Sequence, residues 1–293
     1  MHVLRTLCSW RPSGVRVAFT RLTLAEVVFL SAIGAVILSF VLYYLIDLRN
    51  VFGIRDWLFA LDSSYFYFTY TPFFFQHYGR NSGIAELIQF GLLGSAIFFA
   101  AYTAGLLYAT KRTVSKFCMV LAIALLLFVF EDAGNIRHTL MSYVQVAAGE
   151  PDQGVVGTLF ELIYFSILAS VPLYGLWRYG SSITQYTKAF VYIVIGFLAY
   201  ALAAGLSFIG SAFQMLLDRD VYTLLGEYFV AISLRLGDED LPVLWQQWNE
   251  HNWLYQIEFF LLDSLIEENI EIIATAALLA GFITLYQSTV KNT

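Results

Sequence analysis

Near its C-terminal end the chain reads Gln256-Ile-Glu-Phe-Phe-Leu-Leu-Asp-Ser-Leu-Ile-Glu-Glu-Asn-Ile-Glu-Ile-Ile-Ala-Thr275, and this segment continues in apolar residues as far as Tyr286. Its length and apolar character predict a helix that crosses a membrane. Five carboxylates lie in or beside it: Glu258, Asp263, Glu267, Glu268 and Glu271. Because an ionised carboxylate inside a bilayer costs several kcal/mol, the sequence predicts that these acids serve a site.

The whole chain shares this apolar character. Of its 293 residues, 59% are hydrophobic and 13% are charged, whereas about a quarter of the residues of a soluble domain are charged. The apolar residues form six blocks long enough to cross a bilayer: Leu22–Ile46, Gly83–Ala109, Val114–Met141, Val155–Trp177, Thr187–Leu217 and Tyr255–Gln287. The sequence therefore predicts an all-α fold, a polytopic transmembrane bundle of about six spans that contacts the lipid bilayer.

Lysine and arginine predict the orientation of these spans, because they concentrate in cytoplasmic loops. They occupy the first 21 residues and alternate loops: Arg5, Arg11, Arg16, Arg21, Lys111, Arg112, Lys116, Arg178, Lys188 and Lys291. Both termini are therefore predicted to be cytoplasmic. We expect a basic leader at 1–21, one transmembrane domain at 22–287 and a tail at 288–293, in a bacterial-type inner membrane.

Two predicted outer segments, 48–82 and 218–254, are rich in aromatic residues. Trp245, Trp248 and Trp253 belong to the second of them. Rings with a polar tip favour the headgroup level of a membrane. These segments are therefore expected to lie on the outer leaflet, either as a lid over a site or as an ordinary aromatic belt.

Small residues spaced four apart suggest where the helices approach closely. Three such pairs occur: Gly91 with Ser95, Ala201 with Gly205, and Ser207 with Ser211. We expect them at helix–helix contacts.

The predicted topology brings acidic residues of four spans to a similar depth in the outer half of the membrane. Asp263, Glu267 and Glu271 share one stripe of the last helix at 100° per residue. Glu131, Asn135 and His138 likewise share a face of the third span, extended as one helix. The full set of candidate residues is Glu86, Glu131, Asp132, His138, Glu161, Asp263, Glu267 and Glu271.

One interpretation of this set is a divalent metal site, because inward-facing carboxylates and histidine are ligands of metal centres in helical bundles. All eight residues are then candidate ligands, and Mg²⁺, Ca²⁺, Mn²⁺ or iron is the candidate metal. The protein would be a metal-dependent membrane enzyme acting on a lipid-like substrate. Glu131 or Glu267 would serve as ligand or base, and His138 as ligand or acid.

Two alternatives use the same acids without a metal. In the first they bind protons or cations in a coupled transporter. In the second they pair with Arg137 and His138 as a structural network, in a non-catalytic subunit or assembly factor that binds other membrane subunits. The sequence leaves these alternatives open.

Several other classes find little support. The net charge of −6 and the absence of long basic tracts exclude nucleic acid as a partner. The segment Phe130-Glu131-Asp132 to Arg137 resembles in part the Glu-Glu-x-x-x-Arg signature of the CAAX-type intramembrane prenyl-protein endopeptidases. However, Asp132 replaces the second glutamate, Arg137 is one residue late, and the later histidine motifs of that family are missing. That activity is therefore not assigned.

Overall fold

The computed structural model of the protein describes residues 22–58, 73–79, 83–149, 155–217, 221–251 and 257–290. These residues are 91% helical and include no strand. Six helices are long and apolar enough to cross a membrane, so the prediction of an all-α transmembrane bundle is confirmed. The leader 1–21, Trp253 and the tail residues 291–293 lie outside the described residues.

The helices follow one another closely along the chain. Helix α1 spans Leu24–Leu42 and continues as a π-helix over Tyr43–Leu48. After a short helical segment over 51–58, the described part of the chain continues with α2 Phe74–Gly79, α3 Ile84–Leu107, α4 Arg112–Gly134, α5 Ile136–Ala148, α6 Val155–Tyr179, α7 Thr187–Leu217, α8 Val221–Leu236 and α9 Leu241–His251. The last helix, α10, is α-helical over Ile257–Phe260, π-helical over Leu261–Glu267 and α-helical again over Glu268–Val290.

Helix α10 lies at the centre of the bundle, packed against α7, α3 and α1. Helix α4 packs on α3 and on α6. Two glycines bring α10 and α7 together: a Cβ on Gly196 would lie 2.9 Å from the carbonyl oxygen of Ala274, and one on Gly281 would lie 2.7 Å from Cγ1 of Ile193. Since real Cβ contacts are longer than this, the two helices meet at a distance that only glycine permits at these positions.

The outside of the bundle is apolar. Leu87 and Leu198 are both 65% exposed, and many other large apolar side chains of the spanning helices face outward. A contiguous apolar exterior of this kind is buried in lipid in a membrane protein. The protein is therefore an integral, multi-pass membrane protein whose helices contact the bilayer.

The two ends of the bundle differ in charge, and we name them accordingly. The inner end carries Lys111, Arg112 and Lys188, and an ion pair of 3.8 Å between Lys188 and Glu26 joins the starts of α7 and α1 there. The opposite, outer end carries α2, α8 and α9, which we call the lid. The assignment of the inner end to the cytoplasm stays a prediction from the positive-inside rule.

Aromatic side chains form a small core in the lid. Phe73, Phe75, Trp245 and Trp248 are all buried. The ring centroids of Phe73 and Phe75 are 5.7 Å apart, and the Phe73 ring lies 6.3 Å from both tryptophan rings. These aromatics therefore pack on one another instead of forming a belt at the lipid headgroups. Residues 59–72 of the same outer segment lie outside the described residues.

A buried arginine fastens the lid to the end of α1. Arg55 is fully buried and donates from Nη1 and Nη2 to the carboxylate of Asp238, at 3.1 and 2.9 Å. It also donates to the carbonyl oxygen of Asp47 at 3.0 Å. The Asp47 carboxylate in turn accepts the backbone N–H groups of Phe74 and Phe75, at 2.6 and 3.0 Å, at the start of α2.

The third span is shorter than predicted. Helix α4 ends at Gly134, because Asn135 adopts a left-handed conformation with φ 45° and ψ 40°, which asparagine tolerates better than most residues. The chain then starts the separate helix α5. The predicted common face of Glu131, Asn135 and His138 is therefore wrong.

Candidate functional site

Acidic side chains line the outer half of α10. Asp263, Glu267, Glu268 and Glu271 are each half-buried, whereas the residues from Ala274 to Phe282 are buried. The π-helical turn Leu261–Glu267 lies within this acidic stretch. π-helical turns are rare and are found frequently at functional sites. The outer half of the central helix is therefore the first candidate for a site.

Gln89 on α3 joins two of the predicted acids. Its side chain is fully buried, and its Nε2 donates to Asp132 Oδ2 on α4 at 2.6 Å and to Glu271 Oε2 on α10 at 2.7 Å. An amide nitrogen has two hydrogens, so one neutral side chain serves both carboxylates. We call the two carboxylates of Asp132 and Glu271, joined through Gln89, the Gln89 pair.

Other acids lie within electrostatic range of this pair. Glu86 and Glu268 interact with Asp132, and Glu267 and Glu268 interact with Glu271. Asp263 interacts with Glu86 and with Arg137. On the other side, Tyr200 of α7 lies within range of Asp132 and Glu271, and its ring packs 5.3 Å from that of Phe128. The Gln89 pair thus lies between acids and aromatic rings.

A second group of charged residues surrounds Arg137, and we call it the Arg137 network. Arg137 Nη1 donates to Glu161 Oε1 at 3.0 Å, and its Nε lies 3.5 Å from Glu131 Oε1. Tyr164 donates a short hydrogen bond to Glu131. The guanidinium also lies 4.9 Å from the centroid of the Phe165 ring, a cation–π contact. The network ties α4, α5 and α6 together.

His138 belongs to the Arg137 network but lies on its exposed side. Arg137 Nη2 is 2.8 Å from His138 Nε2. Because a guanidinium can only donate, Nε2 accepts and the imidazole is neutral with its hydrogen on Nδ1. Desolvation and then the Arg137 charge lower the pKa of His138 to about 4.

The predicted metal centre finds no support in this geometry. Among the described residues, no group of three or more His, Cys, Asp or Glu side chains is arranged to hold a metal ion. The eight candidate ligands are distributed between the Gln89 pair with its neighbouring acids and the Arg137 network. No three of these eight described residues are arranged to hold a metal ion, and the metal centre stays a prediction.

A polar link joins the acidic half of α10 to the lid. Asn269 Oδ1 accepts from Tyr78 of α2 at 2.9 Å and from Ser39 of α1 at 3.1 Å. Burial raises the pKa of the Tyr78 hydroxyl, which keeps it protonated as a donor. The lid is therefore attached directly beside the acids of α10.

Sequence reasoning missed three residues that shape this region. For Gln89, nothing in the sequence showed that it would join Asp132 to Glu271. Tyr200 and Arg55 were not identified at all. Arg55 had a signal, because it is one of few cations in a predicted outer segment rich in aromatics. Tyr200 had none, since its neighbours are apolar.

Comparisons with known proteins do not identify the chain. No protein-family model, no curated protein and no solved structure matches it.

Proposed function

We propose that this protein is a proton-coupled membrane carrier and that the Gln89 pair is its proton-binding site. The observation that carries the proposal is that one amide nitrogen contacts the carboxylates of both Asp132 and Glu271. The oxygens of these carboxylates are therefore close together inside the bundle. Two unit charges 4 Å apart repel by about 4 kcal/mol at an effective dielectric constant of 20, and a single bound proton relieves this repulsion.

Arg137 lies within electrostatic range of Asp132, but its charge is shared with other acids. The donor between the two acids is a neutral amide, and Arg137 is engaged with Glu131 and Glu161. In the sequences of the six spanning helices, Lys and Arg occur only near the inner ends. A protonated carboxyl group would bring a donor to a place where acceptors predominate.

The carrier part of the proposal rests on the contrast along α10. The acids in its outer half are half-buried, whereas Ala274, Ala277 and Phe282 in its inner half are fully buried. This arrangement is what a carrier needs in a state that is accessible from outside and closed towards the inside. The metal-dependent enzyme stays a prediction. Among the described residues, no three of its predicted ligands are arranged to hold a metal ion.

The bound proton can be tested by infrared difference spectroscopy. The carbonyl stretch of a protonated carboxylic acid is expected in the wild type at pH 7, and it should be lost in both Asp132→Asn and Glu271→Gln. Glu239→Gln is the matched control, because Glu239 is an exposed acid of the outer end. A wild type without this band, or a band that survives in both site variants, would refute the proton site.

The carrier can be tested by labelling a cysteine from each side of the membrane. Glu267→Cys, in a chain with Cys8→Ser and Cys118→Ser, is treated with a membrane-impermeant thiol reagent in vesicles of each orientation. A carrier exposes this position in turn to both sides, so we expect labelling from both. Glu239→Cys at the outer end and Arg112→Cys at the inner end should each react from one side only. Labelling of Glu267→Cys from the outer side alone would indicate a fixed outer site, as in an enzyme or a structural subunit.

A further inference from the structure

A basic and aromatic surface lies at the inner end of the bundle, far from the acids. Lys116 of α4 and Arg178 of α6 are both exposed, and both lie within electrostatic range of Tyr174. Within the part of the chain that the structure describes, neither cation forms an ion pair with a carboxylate. Two positive charges on neighbouring helices are thus left to be neutralised from outside the protein.

Aromatic rings surround these two cations. The rings of Tyr174 and Tyr179 meet edge to face with centroids 6.0 Å apart, and the Arg178 guanidinium lies 5.6 Å from the centroid of the Tyr179 ring. Trp177 is 82% exposed. Amphipathic rings of this kind favour the headgroup level of a bilayer. The surface therefore combines cations with the aromatic residues that mark the membrane interface.

The helices beside this surface provide a place for acyl chains. Met119 and Ile123 of α4, three and seven residues after Lys116, are exposed apolar side chains on the same face of the helix. Helices α4 and α6 also approach closely at Gly175, where a Cβ would lie 3.1 Å from Leu121. The two cations are therefore held on adjoining helices.

We infer that Lys116, Arg178 and Tyr174 form a binding site for the phosphate headgroup of an anionic phospholipid in the inner leaflet. The phosphate would lie between the two cations, with the tyrosine hydroxyl as a further donor, and the acyl chains would follow the exposed faces of α4 and α6. Basic pockets between transmembrane helices bind anionic headgroups in this manner. The inference is independent of the proposed proton site.

The test compares lipids that differ only in the headgroup. The full chain, purified in detergent, is titrated with phosphatidylglycerol and with phosphatidylcholine of the same acyl chains, and bound lipid is counted by native mass spectrometry. We expect the wild type to retain phosphatidylglycerol in preference. Each charge near the surface contributes about 1 kcal/mol, so Lys116→Gln and Arg178→Gln should each reduce the preference about fivefold, and the double variant further.

Arg112→Gln is the matched control, because Arg112 is an exposed cation at the same end of α4 and its loss changes the net charge equally. An equal reduction in this control would overturn the inference in favour of a diffuse basic surface. Equal retention of both lipids by the wild type would overturn it as well. Competition by inorganic phosphate at the concentration of the lipid would indicate a soluble anion as the ligand and would also refute the lipid site.

Discussion

The outer and inner halves of α10 are built on different physical principles although they belong to one continuous helix. From Asp263 to Glu271 the helix carries half-buried carboxylates and a π-helical turn. From Ala274 to Leu285 it is mainly apolar. Gly281 lets α7 approach so closely that a Cβ at this position would lie 2.7 Å from Cγ1 of Ile193. The outer half depends on the compensation of charge, and the inner half depends on close packing. Substitutions in the two halves should therefore destabilise the protein for different reasons.

The largest effect is expected at Arg137, which pairs with Glu131 and Glu161 and lies within electrostatic range of Asp263 on the outer half of α10. Arg137→Met leaves Glu131 and the buried Glu161 without their cation, and loss of one partner from a buried pair costs about 3–5 kcal/mol. The measurement is the free energy of unfolding in detergent. Adding Glu161→Gln to Arg137→Met should recover part of the loss. A double variant no more stable than Arg137→Met would show that the unpaired Glu161 charge does not cause the loss of stability.

A smaller effect is expected at Gly196, where the inner half depends on fit. Gly196→Ala places a methyl group against the Ala274 carbonyl oxygen, and overpacking costs about 1–3 kcal/mol. Gly91→Ala is the matched control, because a Cβ there meets nothing within 4 Å and alanine is the better helix former. The thermal midpoint should fall for Gly196→Ala alone. Equal midpoints for the two variants would contradict the tight contact of α7 with α10.

The smallest effect at neutral pH is expected at His138, because its imidazole is exposed and uncharged there. The pKa of its imidazole is lowered in the folded protein from 6.5 to about 4, so the folded state resists taking up a proton. Stability should be retained above about pH 6.5 and should fall as the pH drops from there towards about pH 4. Thermal midpoints measured across this range should decline more for the wild type than for His138→Gln. If the thermal midpoints of the two proteins fall in parallel with pH, His138 does not contribute to the pH dependence of stability.

Much of the fold followed from the sequence, because six apolar blocks and the distribution of Lys and Arg depend only on composition and spacing. The end of the third span could not be predicted, because the helical pattern continues through Asn135 in the sequence whereas the left-handed turn at this residue ends the helix. The close contacts were also misplaced. Gly91 and Gly205 face open space, and Gly196 and Gly281 make the tight approach, because spacing alone does not reveal which face meets a neighbour.

The candidate site shows the same limit. The order of the spans was enough to predict that one end of the bundle would contain Glu86, Asp132 and Glu271. Two other features could not be predicted: Gln89 joins two of these acids, and Arg137 is engaged with Glu131 and Glu161. Both depend on side-chain positions that only the packed structure provides. The sequence also could not assign His138 to the exposed side of α5.

The π-helical turn at Leu261–Glu267 has a consequence for how the length of this chain can vary. Such a turn holds one residue more than the corresponding α-helical turn. A chain one residue shorter within 261–267 can close the turn as an α-helix and keep both flanking segments facing as they do now. A deletion between Ala274 and Leu285 would instead rotate all that follows by about 100° and expose the surface that α7 covers. Insertions and deletions in related chains should therefore be found at the acidic turn and be absent from the buried half.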